Sequence, residues 1–160
     1  MGDNRPSLRF LCDEMLRRLG RWLRASGYDT VIAEAGQADR QLIEQACREG
    51  RWLLTRDRKM AEFNQARECV VLMTGNDVPA QVDELGRIFP VDWLHAPFSR
   101  CLVCNAPLKP ADAARLAEVP EFSRDSLDVL FECSGCRHLY WHGSHVRRMR
   151  AKLHHWKHRK

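Results

Sequence analysis

Residues 51–58 read Arg-Trp-Leu-Leu-Thr-Arg-Asp-Arg, an apolar run closed by a carboxylate set between two arginines. The run at 51–55 has the length and composition of a buried strand, with Asp57 just past its carboxyl end. The same pattern occurs upstream, where the apolar residues 8–12 run into Asp13. Between them, Met15, Leu16, Leu19, Trp22 and Leu23 recur at helical spacing, with arginines interspersed and Gly27 as a stop. Residues 28–33 read as a second strand, and 39–49 as an amphipathic helix ended by Gly50. Downstream of the quoted stretch come a polar helical segment, a fourth strand at 68–74 and a helix at about 79–89. Strands that are apolar throughout and alternate with helices predict an α/β fold, a parallel sheet with helices on both faces.

The C-terminal part is of a different kind. Four of the seven cysteines form two C-x-x-C pairs, Cys101/Cys104 and Cys133/Cys136, separated by 28 residues. Two such pairs can supply four thiolates to one tetrahedral Zn²⁺, and an intervening hairpin or loop accommodates the long spacer. Two disulfides or a redox-active dithiol are the alternatives, and zinc is preferred because matched pairs are more specific than one. Four sulfurs leave no open coordination position, so the zinc is expected to be structural. The expected division is 1–95 for the α/β domain and 96–160 for the zinc module and its tail, with 90–97 as linker. Cys12, Cys47 and Cys69 are expected to be buried structural thiols, and Trp22 and Trp52 core residues.

Charge divides the chain in the same way. Residues 1–95 carry a net charge of −1 and residues 96–160 carry +6. Residues 137–160 contain eight Lys or Arg, six His and no acid. Such a segment is either a phosphate-backbone contact or a solvated basic tail. No apolar run reaches the ~20 residues needed to span a bilayer. The polar start at 1–7 and the reduced thiols together give the expectation of a cytoplasmic protein.

In open parallel sheets ligands bind beyond the carboxyl ends of the strands. Asp13, Asp57 and Asp77 follow the first, third and fourth strands, and Asp39 opens the helix after the second. Four carboxylates converging there would repel one another unless a divalent cation joined them, and an all-oxygen site suits Mg²⁺ or Mn²⁺. Such a site can activate water and stabilise a leaving oxygen in phosphodiester hydrolysis. Each aspartate also has a plainer role open to it: Asp13 and Asp39 as helix caps, Asp77 as a turn residue. Arg17 and Arg21 on the first helix, and Arg56 and Arg58 beside Asp57, are the candidate phosphate contacts. Tyr140 and Trp141 either stack on bases or, as the preferred reading, pack the zinc module. Ser144 and His145 after them are candidate substrate contacts.

Phe10-Leu11-Cys12-Asp13, Leu19-x-x-Trp22-Leu23-Arg24-x-x-Gly27-Tyr28-Asp29 and Leu53-Leu54-Thr55-Arg56-Asp57 resemble motifs of the Mut-seven C-terminal RNase family. So do Cys101-x-x-Cys104-Asn105, Val119-Pro120, the Cys133/Cys136 pair and Tyr140-Trp141-x-Gly143-Ser144-His145. The resemblance implies a PIN-like three-layer α/β/α domain followed by a zinc ribbon, and metal-dependent ribonuclease activity. Carried over by position, the acidic site is Asp13, Asp39, Asp57 and Asp77, with Glu14 or Glu44 as substitutes for Asp39. The functional expectation is a metal-dependent, endonucleolytic ribonuclease using water as nucleophile, its zinc ribbon aiding RNA binding. The alternative is a non-catalytic RNA- or ribosome-binding protein on the same fold.

Overall fold

A computed structural model describes residues 7–125 and 127–159. The polar residues 1–6 and Lys160 therefore lie outside the description. The described residues divide into two compact units, one of residues 7–23 and 28–91 and one of 24–27 and 92–159.

The first unit is built on four short parallel strands, β1 (Phe10–Cys12), β2 (Thr30–Ile32), β3 (Trp52–Thr55) and β4 (Val70–Leu72), ordered β2-β1-β3-β4. Phe10, Leu11 and Cys12 stand level with Thr30, Val31 and Ile32 on one side and Trp52, Leu53 and Leu54 on the other. Side chains alternate between faces along each strand, and the packing follows that alternation. Leu11 and Leu53 face a core completed by Leu42, Ile43 and Ala46 of α2 (Asp39–Glu49). Cys12 and Ile32 on the opposite face meet α1 (Arg17–Ala25) at Gly20, where a Cβ would lie 2.8 Å from Ile32 Cγ1. Phe10 on that face packs edge-on to Phe89, with ring centroids 5.8 Å apart, just past α4 (Val78–Ile88). The three-layer expectation is met, with helices on both sides of the sheet.

Local sequence explains the ends of these elements. α2 stops at Gly50 in the left-handed conformation, φ +63°, whose amide returns to the Ala46 and Cys47 carbonyls. Asp13 caps a single 3₁₀ turn, Glu14–Leu16, before α1 begins. The polar stretch after β3 forms only a 3₁₀ turn, Met60–Glu62, and the short α3 (Ala66–Cys69), rather than one helix. Trp52 is 36% exposed at the start of β3 and Cys47 is exposed on α2, contrary to the core placement expected for both.

The second unit holds an antiparallel sheet, β5 (Leu108–Pro110), β6 (Leu130–Cys133) and β7 (Leu139–Trp141), in that spatial order. A short helix α5 (Glu121–Arg124) precedes β6, and α6 (Ser144–Lys157) follows β7. The basic tail is thus mostly helix, because Met149, Leu153 and Trp156 form a buried i, i+4, i+7 stripe within it. Trp156 packs on Trp93 at 5.2 Å and Lys157 pairs with Asp92 at 2.9 Å. Residues 92–93, expected in the linker, are therefore packed structure, with Trp93 only 3% exposed.

Candidate active site and four-cysteine centre

The carboxyl edge of the parallel sheet carries the first candidate site, although its four aspartates do not converge into a group that could hold a metal ion among the described residues. The chain leaves β1 toward β2 and later crosses to β3 on the other side, so the edge between β1 and β3 is the topological switch point. Asp13 sits there, 5% exposed, its amide bonded to the Leu54 carbonyl at 3.1 Å. Its Oδ1 accepts from the Met15 amide at 2.8 Å, and its Oδ2 accepts a short hydrogen bond from the Thr55 hydroxyl. Thr55 Oγ1 also accepts from the Asp57 amide at 3.0 Å. One buried hydroxyl therefore links the Asp13 carboxylate at the end of β1 to the Asp57 backbone amide after β3. Thr55 was legible as a strand end, but its linking role was not assigned from sequence; a polar residue closing an otherwise apolar strand is the signal.

The other candidates are placed more loosely. Asp57, half-buried, accepts from the Lys59 amide at 2.9 Å. Asp77 is exposed and caps α4 through the Ala80 amide at 2.9 Å, a helix cap where the sequence suggested a turn residue. Asp39 is the first residue of α2 rather than its cap; the cap position is Ala38, which makes no side-chain bond. Arg56 donates to Asn76 Oδ1 at 2.7 Å, tying the end of β3 to the loop after β4. Its buried Nε has no hydrogen-bond partner among the described residues. Glu84 of α4 holds that same loop, accepting from the Thr74 and Gly75 amides at 3.0 Å. Burial opposes ionisation of Glu84, but these amides and the Thr74 hydroxyl outweigh it and lower its pKa. Arg17, Arg21 and Arg58 are exposed, as are Ser144 and His145 at the start of α6 in the second unit. Arg24, on the same arginine-rich helix, is buried and bonds the Leu102 and Val103 carbonyls at 3.0 Å each.

Thr55→Val keeps the shape of the strand end and removes both of its side-chain hydrogen bonds. A buried bond to a charged group is worth about 1.5–3 kcal/mol, so the variant should lose stability by about that amount in urea denaturation. Thr55→Ser should retain most of it.

In the second unit, Cys101, Cys104, Cys133 and Cys136 bring four sulfurs within 4.8 Å of one another. They are the described group of three or more His, Cys, Asp or Glu that could hold a metal ion. The two C-x-x-C segments are built alike. The Asn105 amide returns to the Cys101 carbonyl at 2.9 Å, and the Arg137 amide to the Cys133 carbonyl at 3.1 Å. Both Asn105 and Arg137 adopt positive φ, +75° and +64°, which turns each chain around its sulfurs. The Gly135 and Cys136 amides point at Cys133 Sγ, 3.3 and 3.4 Å away, as they would at a thiolate. Gly135 sits tightly in this turn, since a Cβ there would lie 3.0 Å from that of Ala106.

These residues fit zinc. Zn–S bonds of about 2.3 Å set tetrahedral S–S edges of about 3.8 Å. Cys101–Cys136 and Cys104–Cys133 stand at 3.7 and 3.3 Å. The thiols also compete for protons. For Cys104, burial is outweighed by the Ala106 amide and its thiol neighbours, and the pKa is lowered. Cys136 goes the other way, to about 12: the His138 amide is outweighed by burial and the Cys104, Cys101 and Cys133 thiols. A single divalent cation would remove that opposition. Tyr140 completes the surroundings, its hydroxyl 3.1 Å from Cys101 Sγ and accepting from the Leu102 amide at 3.0 Å. That contact favours the packing role for Tyr140 over base stacking.

No described helix is long and apolar enough to cross a membrane. No solved structure matches the chain. Over 103 residues the chain is 32% identical to the human protein named Exonuclease mut-7 homolog, covering 62% of this chain. The chain is similar to only 12% of that much longer relative. The Mut7-C RNAse domain matches residues 8–153. That span includes both the aspartate-bearing sheet edge and the four-cysteine centre, and the chain accordingly belongs to the Mut7-C RNAse domain family.

Proposed function

We propose that the protein is a metal-dependent ribonuclease whose reaction takes place at the aspartate edge of the parallel sheet. The supporting observation is the Asp13–Thr55–Asp57 linkage at the switch point, where a buried carboxylate is held by a hydroxyl from the neighbouring strand. Asp13 and Asp57 would hold Mg²⁺ or Mn²⁺, with Asp39 and Asp77 completing the acidic rim. The ion would supply Lewis-acid activation of water. Thr55 fixes the Asp13 carboxylate in one orientation, so its charge is set before substrate arrives. Arg56, with Arg17, Arg21 and Arg58, would neutralise the phosphates flanking the scissile bond.

The four cysteines would hold a structural Zn²⁺, and the module would add RNA affinity through Arg147 and Arg148 on α6, with Ser144 and His145 at its start. Arg150 lies over the Phe98 ring at 5.1 Å and Lys157 is paired with Asp92, so those two cations have structural duties. The human relative's name points to exonucleolytic cutting in that protein.

A second reading has its own support. Asp13, Asp57 and Asp77 each accept a backbone amide, so each has a structural use without any cation. A non-catalytic RNA- or ribosome-binding protein would retain them for that reason. Metal-stripped, zinc-reloaded protein incubated with 5′-labelled mixed RNAs separates the two. Cleavage that requires added Mn²⁺ or Mg²⁺ supports the ribonuclease and also reveals the cutting mode. Salt-sensitive RNA binding without divalent-dependent cleavage supports the binding protein.

A further inference from the structure

Two cysteines outside the four-sulfur centre meet on the first unit. Cys47, near the end of α2, is exposed, whereas Cys69, at the end of α3, is buried. Their sulfurs lie 2.7 Å apart, although 22 positions separate them in sequence. Both sulfurs also sit 3.9 Å from the Gln65 carbonyl, and Cys69 Sγ lies 3.8 Å from that of Ile43. Among the described residues neither cysteine belongs to a group that could hold a metal ion, and the neighbouring Glu68 opposes ionisation of Cys69. Beside it opens a cavity of about 290 Å³ whose lining includes Arg9, Ala46, Arg51 and both cysteines.

From this geometry we propose that Cys47 and Cys69 are a reversible dithiol that low-molecular-weight disulfides of the oxidised-glutathione type convert to an intramolecular disulfide. The exposed Cys47 is the entry point and the buried Cys69 the resolving thiol. The Cys47 thiolate attacks one sulfur of the reagent, breaking its S–S bond, and the departing thiolate takes up a proton. The result is a mixed disulfide on Cys47, with the cavity as room for the attached group. Cys69, deprotonated as it reacts, then attacks Cys47 Sγ, forming the protein disulfide and expelling the second small thiol. Two protein thiols lose two electrons and two protons, and the reagent becomes two thiols. Burial and the adjoining Cys47 sulfur push the Cys69 thiol up to about 12, which makes it a poor nucleophile toward an outside disulfide, whereas its closeness to Cys47 Sγ, 2.7 Å, favours it in the second step. The bond would staple α2 to α3 and enclose β3 and Asp57 in the closed loop. This chemistry is independent of whether the aspartate edge is catalytic.

The test uses zinc-loaded full-length protein exposed to oxidised glutathione, then alkylated, digested without reductant and mapped by mass spectrometry. A Cys47–Cys69 linked peptide should predominate, the thiol titre of the denatured protein should fall by two, and dithiothreitol should reverse both. Cys69→Ala should instead accumulate glutathione on Cys47, and Cys47→Ser should leave Cys69 unmodified. The proposal is overturned if both thiols stay free in the wild type, or if Cys47 links to a cysteine of the four-sulfur centre. Equal glutathione on Cys47 in wild type and Cys69→Ala also overturns it. The wild-type map decides the matter even if a variant does not fold.

Discussion

Asp13→Asn is expected to fold normally and to lose divalent-dependent RNA cleavage by a factor on the order of 10³ or more. Asparagine keeps the oxygen that accepts the Met15 amide, and it is as good an N-cap as aspartate. It therefore preserves the 3₁₀ turn and the entry into α1. What it removes is the second oxygen, which accepts from the Thr55 hydroxyl, with a modest loss of stability, together with the negative charge and the capacity to hold a hard cation. Metal stabilisation of a phosphoryl transition state is worth several kcal/mol, and each 1.36 kcal/mol is tenfold in rate. Asp57→Asn should behave in the same way. Single-turnover cleavage at saturating Mn²⁺, with circular dichroism to confirm the fold, measures both. Wild-type cleavage rates in both variants would remove the aspartate edge from the mechanism.

The second large effect concerns the four-cysteine centre. The second unit has a small core around Trp93, Leu153 and Trp156, and its antiparallel sheet has only three short strands. Modules of that size depend on cross-links or metals. Cys133→Ser, or a strong chelator, should therefore unfold the β5-β6-β7 sheet while β1–β4 keep their protection in hydrogen exchange. Zinc affinities in small metal-folded domains correspond to about 10–16 kcal/mol of apparent binding energy, ample to decide the fold of such a segment. Because bound sulfurs must give up their protons, the affinity should weaken as the solution is acidified. Metal content by mass spectrometry under native conditions, at descending pH, reads this directly. Unchanged protection of the sheet after complete zinc removal would show that the ion is not a structural element.

The parts of the fold that sequence made legible were those in which one physical signal dominated. The four parallel strands stood out because strands buried on both faces are apolar throughout. α2 was legible to the residue, since its apolar period ends at a glycine that takes up the left-handed conformation, φ +63°. The cysteine centre followed from spacing, and the sulfurs do converge.

Other features were hidden for specific reasons. In α6 the stripe Met149, Leu153 and Trp156 is diluted by basic and histidine residues on every side, so the segment read as a tail. Trp93 lay among prolines that suggested a linker, and its burial depends on Trp156, far away in sequence. The Thr55 bridge, the Tyr140 contact with Cys101 and the Cys47–Cys69 approach are pairings between distant segments. No local pattern encodes such pairings. Of the four aspartates, Asp13 and Asp57 are joined through Thr55, whereas Asp77 is engaged as a cap and Asp39 opens a helix. Thr55 holds the carboxylate of Asp13 but only the backbone amide of Asp57, so Asp13 is the strongest member of the proposed site.

The central claim is that this edge of the sheet holds a catalytic cation. It is tested most directly by a crystal structure of the zinc-loaded protein soaked in Mn²⁺, with anomalous data collected at the manganese edge. A manganese peak is expected in contact with the Asp13 and Asp57 carboxylates, and its loss in Asp13→Asn crystals. Manganese bound only elsewhere, or no peak at this edge in a preparation that cleaves RNA with Mn²⁺, would contradict it.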